Sequence, residues 1–158
     1  MNTLVSTMNI PQLLLGGLTA LMTTASGCNT PDSSSNDQWF TDQRWSHRML
    51  VFTDVNPESM QQSALLTDHE VALLDRNLLV VQIGPEKSTL LTGRVSDLPD
   101  TEAFRERFTL PSEHFEVVLV GKDGRVKQRR TEPMTPDELW SIIDAMPMRI
   151  DEMRRNEN

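Results

Sequence analysis

A chain of 158 residues with a net charge of −8 has room for one ordinary domain and lacks the cationic excess that nucleic-acid binding draws on. Its single cysteine, Cys28, excludes an intrachain disulfide, a dithiol redox pair and a cysteine-based zinc site. These limits bear on partners and chemistry and leave the fold open.

Residues 1–27 carry no charged side chain. They include an apolar region, Ile10 to Met22, followed by small residues up to Ala25-Ser26-Gly27-Cys28, the pattern of a secretory leader. ASGC resembles a bacterial lipobox, in which the cysteine is lipidated and becomes the new N-terminus; Asn29 after it resembles lipoproteins released to the outer membrane. An ordinary cleaved signal and a short membrane anchor stand as the other readings, the anchor against a short, interrupted apolar run. The span 28–38, with Thr30 to Asp37 reading TPDSSSND, has the composition of a flexible tether, so folded structure is expected from near Trp39.

Met49 to Thr53 (MLVFT) predicts a first central strand. Asn56-Pro57 predicts a helix with Asn as cap and Pro at the first position, and with Met60, Ala64 and Leu65 facing inward. Thr67 to Glu70 has capping-box spacing ahead of Val71 and Leu74, so that helix is expected to kink or restart. Leu78 to Ile83 (LLVVQI), closed by Gly84-Pro85, reads as a second buried strand. Glu86 to Pro99 is mixed in polarity and reads as loop, with room for a short strand at Thr89 to Leu91. Phe104 and Phe108 share one face of a helix beginning near Asp100 and stopped by Pro111.

Val117 to Gly121 is uncharged and rich in valine, which suits a strand buried on both faces; Asp123-Gly124 then supplies a turn into Val126 to Arg130. Thr135-Pro136-Asp137-Glu138 combines an N-cap, a first-turn proline and a capping-box glutamate, and Leu139, Ile142, Ile143 and Met146 follow at the spacing of one helical face. Pro147 interrupts that helix, and Met148 to Asn158 reads as a charged, exposed helical tail. Lys122, Lys127, Arg129 and Arg130 read as a basic edge around the hairpin, and Arg149, Arg154 and Arg155, interleaved with Asp151 and Glu152, as a solvated helix face.

The order strand, helix, strand, helix, hairpin, helix demands one parallel crossover and one antiparallel pair: an α/β fold with a mixed sheet and helices on its faces, the thioredoxin-like plan. Trp45-Ser46-His47-Arg48 before a VF strand, the core VGKDGRVK, and the segment IDAMPMR followed by Glu152-Met153 resemble the bacterial family called domain of unknown function 4174, whose relatives include modules of vertebrate sushi-repeat matrix proteins. The resemblance spans Trp39 to Arg155 and implies a thioredoxin-like or peroxiredoxin-like three-layer sandwich over 39–147 with no established activity. It implies no cofactor.

Thioredoxins carry their reactive thiols after the first central strand, where a helix N-terminus favours thiolate. That position here reads Thr53-Asp54-Val55-Asn56-Pro57, and the stretch where thioredoxins place a cis proline reads Glu113-His114-Phe115-Glu116. Trp45 and Arg48 are candidates to face a ligand, and Asp54 is a candidate acid or base at a strand's C-terminal end. Arg48 also reads as a strand-entry ion pair, and Asp54 as a solvated loop carboxylate or an N-terminal helix partner. His47, His69 and His114 lack metal-ligand spacing. Two functions stand: a lipid-anchored periplasmic module that binds a protein or peptide, touching the membrane through its N-terminal lipid; and a non-thiol enzyme, or degenerate oxidoreductase, using Asp54 and Arg48. Convergence of Arg48 and Asp54 on one concavity separates them.

Overall fold

The computed structural model describes residues 33–156; the leader, Cys28 and the first part of the tether lie outside the described residues. The first helix, α1 (Ser33–Gln43), begins within the stretch read as tether. Two aromatic residues tie it down: Phe40 is buried and Trp39 packs beside it, in edge-to-face contact with Phe104. Strand β1 (Arg48–Thr53) follows, then α2 (Glu58–Leu66), a single 3-10 turn at Thr67–His69 and α3 (Glu70–Asp75), so the helix restarts where the second capping signal stands. Strand β2 (Leu78–Ile83), strand β3 (Ser88–Thr92) and helix α4 (Thr101–Phe108) come next. The hairpin β4 (Val117–Val120) and β5 (Val126–Arg130) leads to α5 (Pro136–Asp144) and α6 (Pro147–Asn156).

The sheet order is β3-β2-β1-β4-β5. The β1–β2 pair is parallel, as its helical crossover requires, and β1–β4, β2–β3 and β4–β5 are antiparallel. Alternation along the strands divides the core. Leu50, Phe52, Val80, Val117 and Leu119 face α2, α3 and α5 with Leu66, Leu73, Leu139 and Ile143. Met49, Val51, Val81, Val118 and Val120 face α1 and α4 with Phe40, Phe104 and Phe108. The result is a thioredoxin-like three-layer sandwich. Inner strands buried on both faces explain why β1, β2 and β4 read as unbroken apolar runs.

Four local expectations are corrected. Asn56 makes no capping bond to the α2 amides: the helix starts at Glu58, and Asn56 Oδ1 accepts instead from Ser59 Oγ at 2.9 Å. Its buried face is Ser59, Gln62 and Leu66, while Met60 and Ala64 are exposed. Gln62 turns inward because its amide holds both backbone groups of Met134, accepting from N–H at 2.8 Å and donating to C=O at 3.1 Å. In α3 the buried residue is Leu73, with Val71 and Leu74 outside. Residues 88–92, within the stretch read mainly as loop, form an edge strand half-buried on alternate residues.

Candidate functional site

At the entry of β1 the chain turns sharply between α1 and the sheet. Trp45 sits at φ 69°, a left-handed conformation uncommon for a large residue. Its N–H donates to the Lys122 carbonyl at 2.6 Å, and the His47 N–H donates to the Gln43 carbonyl at 2.9 Å. The ring is thrown outward, 60% exposed, with the Arg44 guanidinium 5.7 Å from its centroid.

Opposite lies the β4–β5 turn. Gly121 and Gly124 close it through backbone bonds, and Gly124 holds φ 75°, which glycine adopts without strain. A Cβ at Gly124 would come within 3.2 Å of Arg44, so the turn and the α1–β1 loop press directly on each other. The third wall is the α5–α6 junction. The capping box fixes where α5 starts: Thr135 Oγ1 accepts from the Glu138 N–H while the Glu138 carboxylate accepts from the Thr135 N–H. The backbone bonds with Thr135 and the Arg130 guanidinium pull the Glu138 carboxyl down to about 2. Pro147 then opens α6 without losing a needed donor.

Between these walls is a groove of about 750 Å³ with Ile142, Met146 and Met148 on the helical side and Trp45 on the loop side, within the size range of ligand pockets. Beneath it runs an ion cluster built around buried Arg48, Lys122 and Arg149. Glu152 accepts from Arg48 at 3.1 Å and pairs with Lys122 at 2.8 Å. Arg149 pairs with Asp144 at 3.3 Å and with Asp75, and Arg76 pairs with Asp144 at 2.6 Å while lying over the Trp140 ring at 4.4 Å. Arg48 is 1% exposed and Arg149 4%. Burial pushes the Glu152 carboxyl up, but the hydrogen bonds from Arg48 and Lys122 outweigh it and hold the group below its ordinary value. For His47, burial first and then the Lys122 charge push the imidazole down.

This cluster corrects the reading of the tail as a solvated face at two positions: Glu152 points inward to pair with the Arg48 and Lys122 cations, and the Arg149 guanidinium is held by Asp75 and Asp144, while Asp151, Arg154 and Arg155 stay exposed. It also removes Lys122 from the basic edge. The rest of that edge is ion-paired, Lys127 to Asp123, Arg129 to Glu116 and Arg130 to Glu138.

Trp45 and Arg48 line the groove together, though the cation stacked on Trp45 is Arg44. Asp54 lies at the far end of β1, about 20 Å away at ~3.3 Å per residue, beside a smaller hollow of about 230 Å³ with Gln82 and Lys87. There its carboxylate accepts from Ser59 Oγ at 2.9 Å. Arg48 and Asp54 therefore do not converge on one concavity. His69 stands against Trp140, His47 beside Lys122 and His114 at the surface, and among the described residues no three His, Cys, Asp or Glu side chains gather to hold a metal.

Arg44, Arg125, Met148 and Glu152 are site residues that spacing alone missed.

Fold and site together define a thioredoxin-like domain with no cysteine at the thiol position and a groove at the opposite end of its sheet. A family model described as domain of unknown function DUF4174 matches residues 40–152, and the chain belongs to that family.

Proposed function

We propose that the chain is a lipid-anchored module on the periplasmic side of the outer membrane that binds a protein or peptide and performs no thiol chemistry. One observation carries this reading: the three motif segments, Trp45 to Arg48, Gly121 to Lys127 and Ile143 to Arg149, gather around one open groove whose apolar lining includes a largely exposed tryptophan. The anchor rests on the uncharged apolar leader and the ASGC site. Among the described residues no helix is long and apolar enough to cross a membrane.

A photo-crosslinking side chain at Ala145, exposed on the groove wall, should yield discrete adducts with another envelope protein, whereas the same group at Glu70, exposed on α3, should yield none. Equal adducts from both positions, or none from either, would refute binding at the groove. In the same cells Cys28→Ala should block fatty-acid labelling and leave unprocessed precursor. Unchanged processing would refute the lipid anchor.

A further inference from the structure

We infer that the groove takes an acidic peptide segment, one in which an Asp or Glu stands within a residue or two of a large apolar side chain. This rests on the binding reading above and adds the chemistry of the occupant. The argument starts from charge. The chain as a whole carries −8, yet Arg44, Arg48, Lys122, Arg125 and Lys127 all line the groove.

Two carboxylates answer those five cations. Asp123 holds Lys127 at 2.7 Å, and Glu152 is shared by Arg48 and Lys122. Arg44 stacks on Trp45 and Arg125 is exposed; among the described residues no carboxylate lies within ion-pair distance of either, although the Arg125 charge is felt by Asp123, which Lys127 already holds. The groove thus keeps an excess of three positive charges in an otherwise acidic molecule, and a partner that supplies carboxylates is the complementary one. Arg48 adds a second sign of unfilled capacity: its Nε, buried at the groove floor, has no acceptor.

The apolar half of the specificity comes from Trp45 and Met148, 60% and 37% exposed. The left-handed backbone at Trp45 is held by the bond to the Lys122 carbonyl, so the ring is presented on a fixed stem. An aromatic and a methionine beside two exposed guanidinium groups without a close ion-pair partner match an apolar side chain with a carboxylate next to it. A flexible segment can thread into such a concavity, where a flat bilayer surface cannot follow.

Random dodecapeptides displayed on phage should be selected on the full chain and on its R44E/R125E variant, whose substitutions fall on exposed side chains and should leave the circular dichroism spectrum unchanged. The full chain is expected to enrich peptides combining Asp or Glu with Leu, Phe, Trp or Met. A synthetic copy of an enriched peptide should bind at least tenfold more weakly to R44E/R125E, at least tenfold more weakly when its acids become Asn and Gln, and progressively more weakly as NaCl is raised. R44K/R125K should keep most of the affinity. Enrichment of neutral or basic peptides that compete in the groove would overturn the acidic assignment and leave the binding reading standing; no enrichment, with the Ala145 crosslinks present, would do the same. Enrichment indifferent to R44E/R125E would overturn the site. Sedimentation with phosphatidylglycerol vesicles, lost in R44E/R125E and unaccompanied by acidic-peptide enrichment, would assign the charge to an anionic lipid and overturn the peptide.

Discussion

Glu152 is the residue on which the cluster depends, because three cations from different elements, Arg48, Lys122 and Arg149, share its carboxylate. Removing one member of a buried ion set leaves the others desolvated and unpaired, at a cost of about 3 kcal/mol. Glu152→Gln should therefore lower Tm by roughly 10 °C, while Asp151→Asn, its exposed neighbour, should stay within about 0.5 kcal/mol. Calorimetry on both variants checks the contrast; equal melting temperatures would refute the role. The pH dependence follows from the same groups. Glu152 is lowered from its ordinary 4.5 and Glu138 to about 2, so the unfolded chain binds more protons than the folded one as pH falls below about 4.5. Their stabilisation is present above that value and is lost as pH falls through the folded values. His47 is also lowered, from 6.5, so a separate loss begins as pH falls below 6.5, when the unfolded imidazole takes up a proton that the folded one resists. Glu152→Gln should flatten the acid stage and spare the stage that begins near 6.5.

The elements differ in how far their own residues determine them. Helix α5 was legible because its signals are local: the cap, the proline and the Glu138 carboxylate all lie within one turn. Strands β1, β2 and β4 were legible because burial on both faces leaves an unbroken apolar run. Edge strand β3 was harder, since STLLT mixes polarity, sits on one flank and joins its neighbour across a register shift at Val80/Val81. Helix α1 has the composition of a tether; only Trp39 and Phe40, reaching α4 far along the chain, order it against the sheet. Helix α6 was misread at Arg149 and Glu152, though not at its exposed Asp151, Arg154 and Arg155, for a related reason. Its charges look solvated until the Arg48 and Lys122 cations, far away in sequence, are placed beneath it. A chain ending at Met153 keeps Arg149 and Glu152 and should melt within a few degrees of the full chain. One ending at Met146 loses both and should be destabilised by at least ~3 kcal/mol. Similar thermal unfolding of the two truncations would show that α6 is ornamental to the fold.

At the scale of the whole molecule, the sheet has two ends and they have diverged in chemistry. Thioredoxins place their thiols where β1 runs into the next helix, and here that junction carries Asp54, Asn56 and Pro57, with Asp54 bonded to Ser59. No cysteine follows Cys28 anywhere in the sequence. Disulfide reduction, isomerisation and peroxide reduction by a protein thiol all need a thiolate within reach of the substrate. The nine methionines cannot supply one, because a thioether does not ionise and its oxidation to sulfoxide is a different reaction. If Cys28 is lipidated, its sulfur is held as a thioether as well. The charged and aromatic residues that the family motifs carry sit instead at the other end, around the groove. The purified chain with Cys28→Ser should thus neither reduce insulin with a thiol donor nor consume peroxide faster than a control matched in methionine, and Asp54→Asn should leave peptide binding at the groove unchanged. Sustained turnover in either assay, surviving further purification and lost in Asp54→Asn, would return the functional centre to the Asp54 end of the sheet.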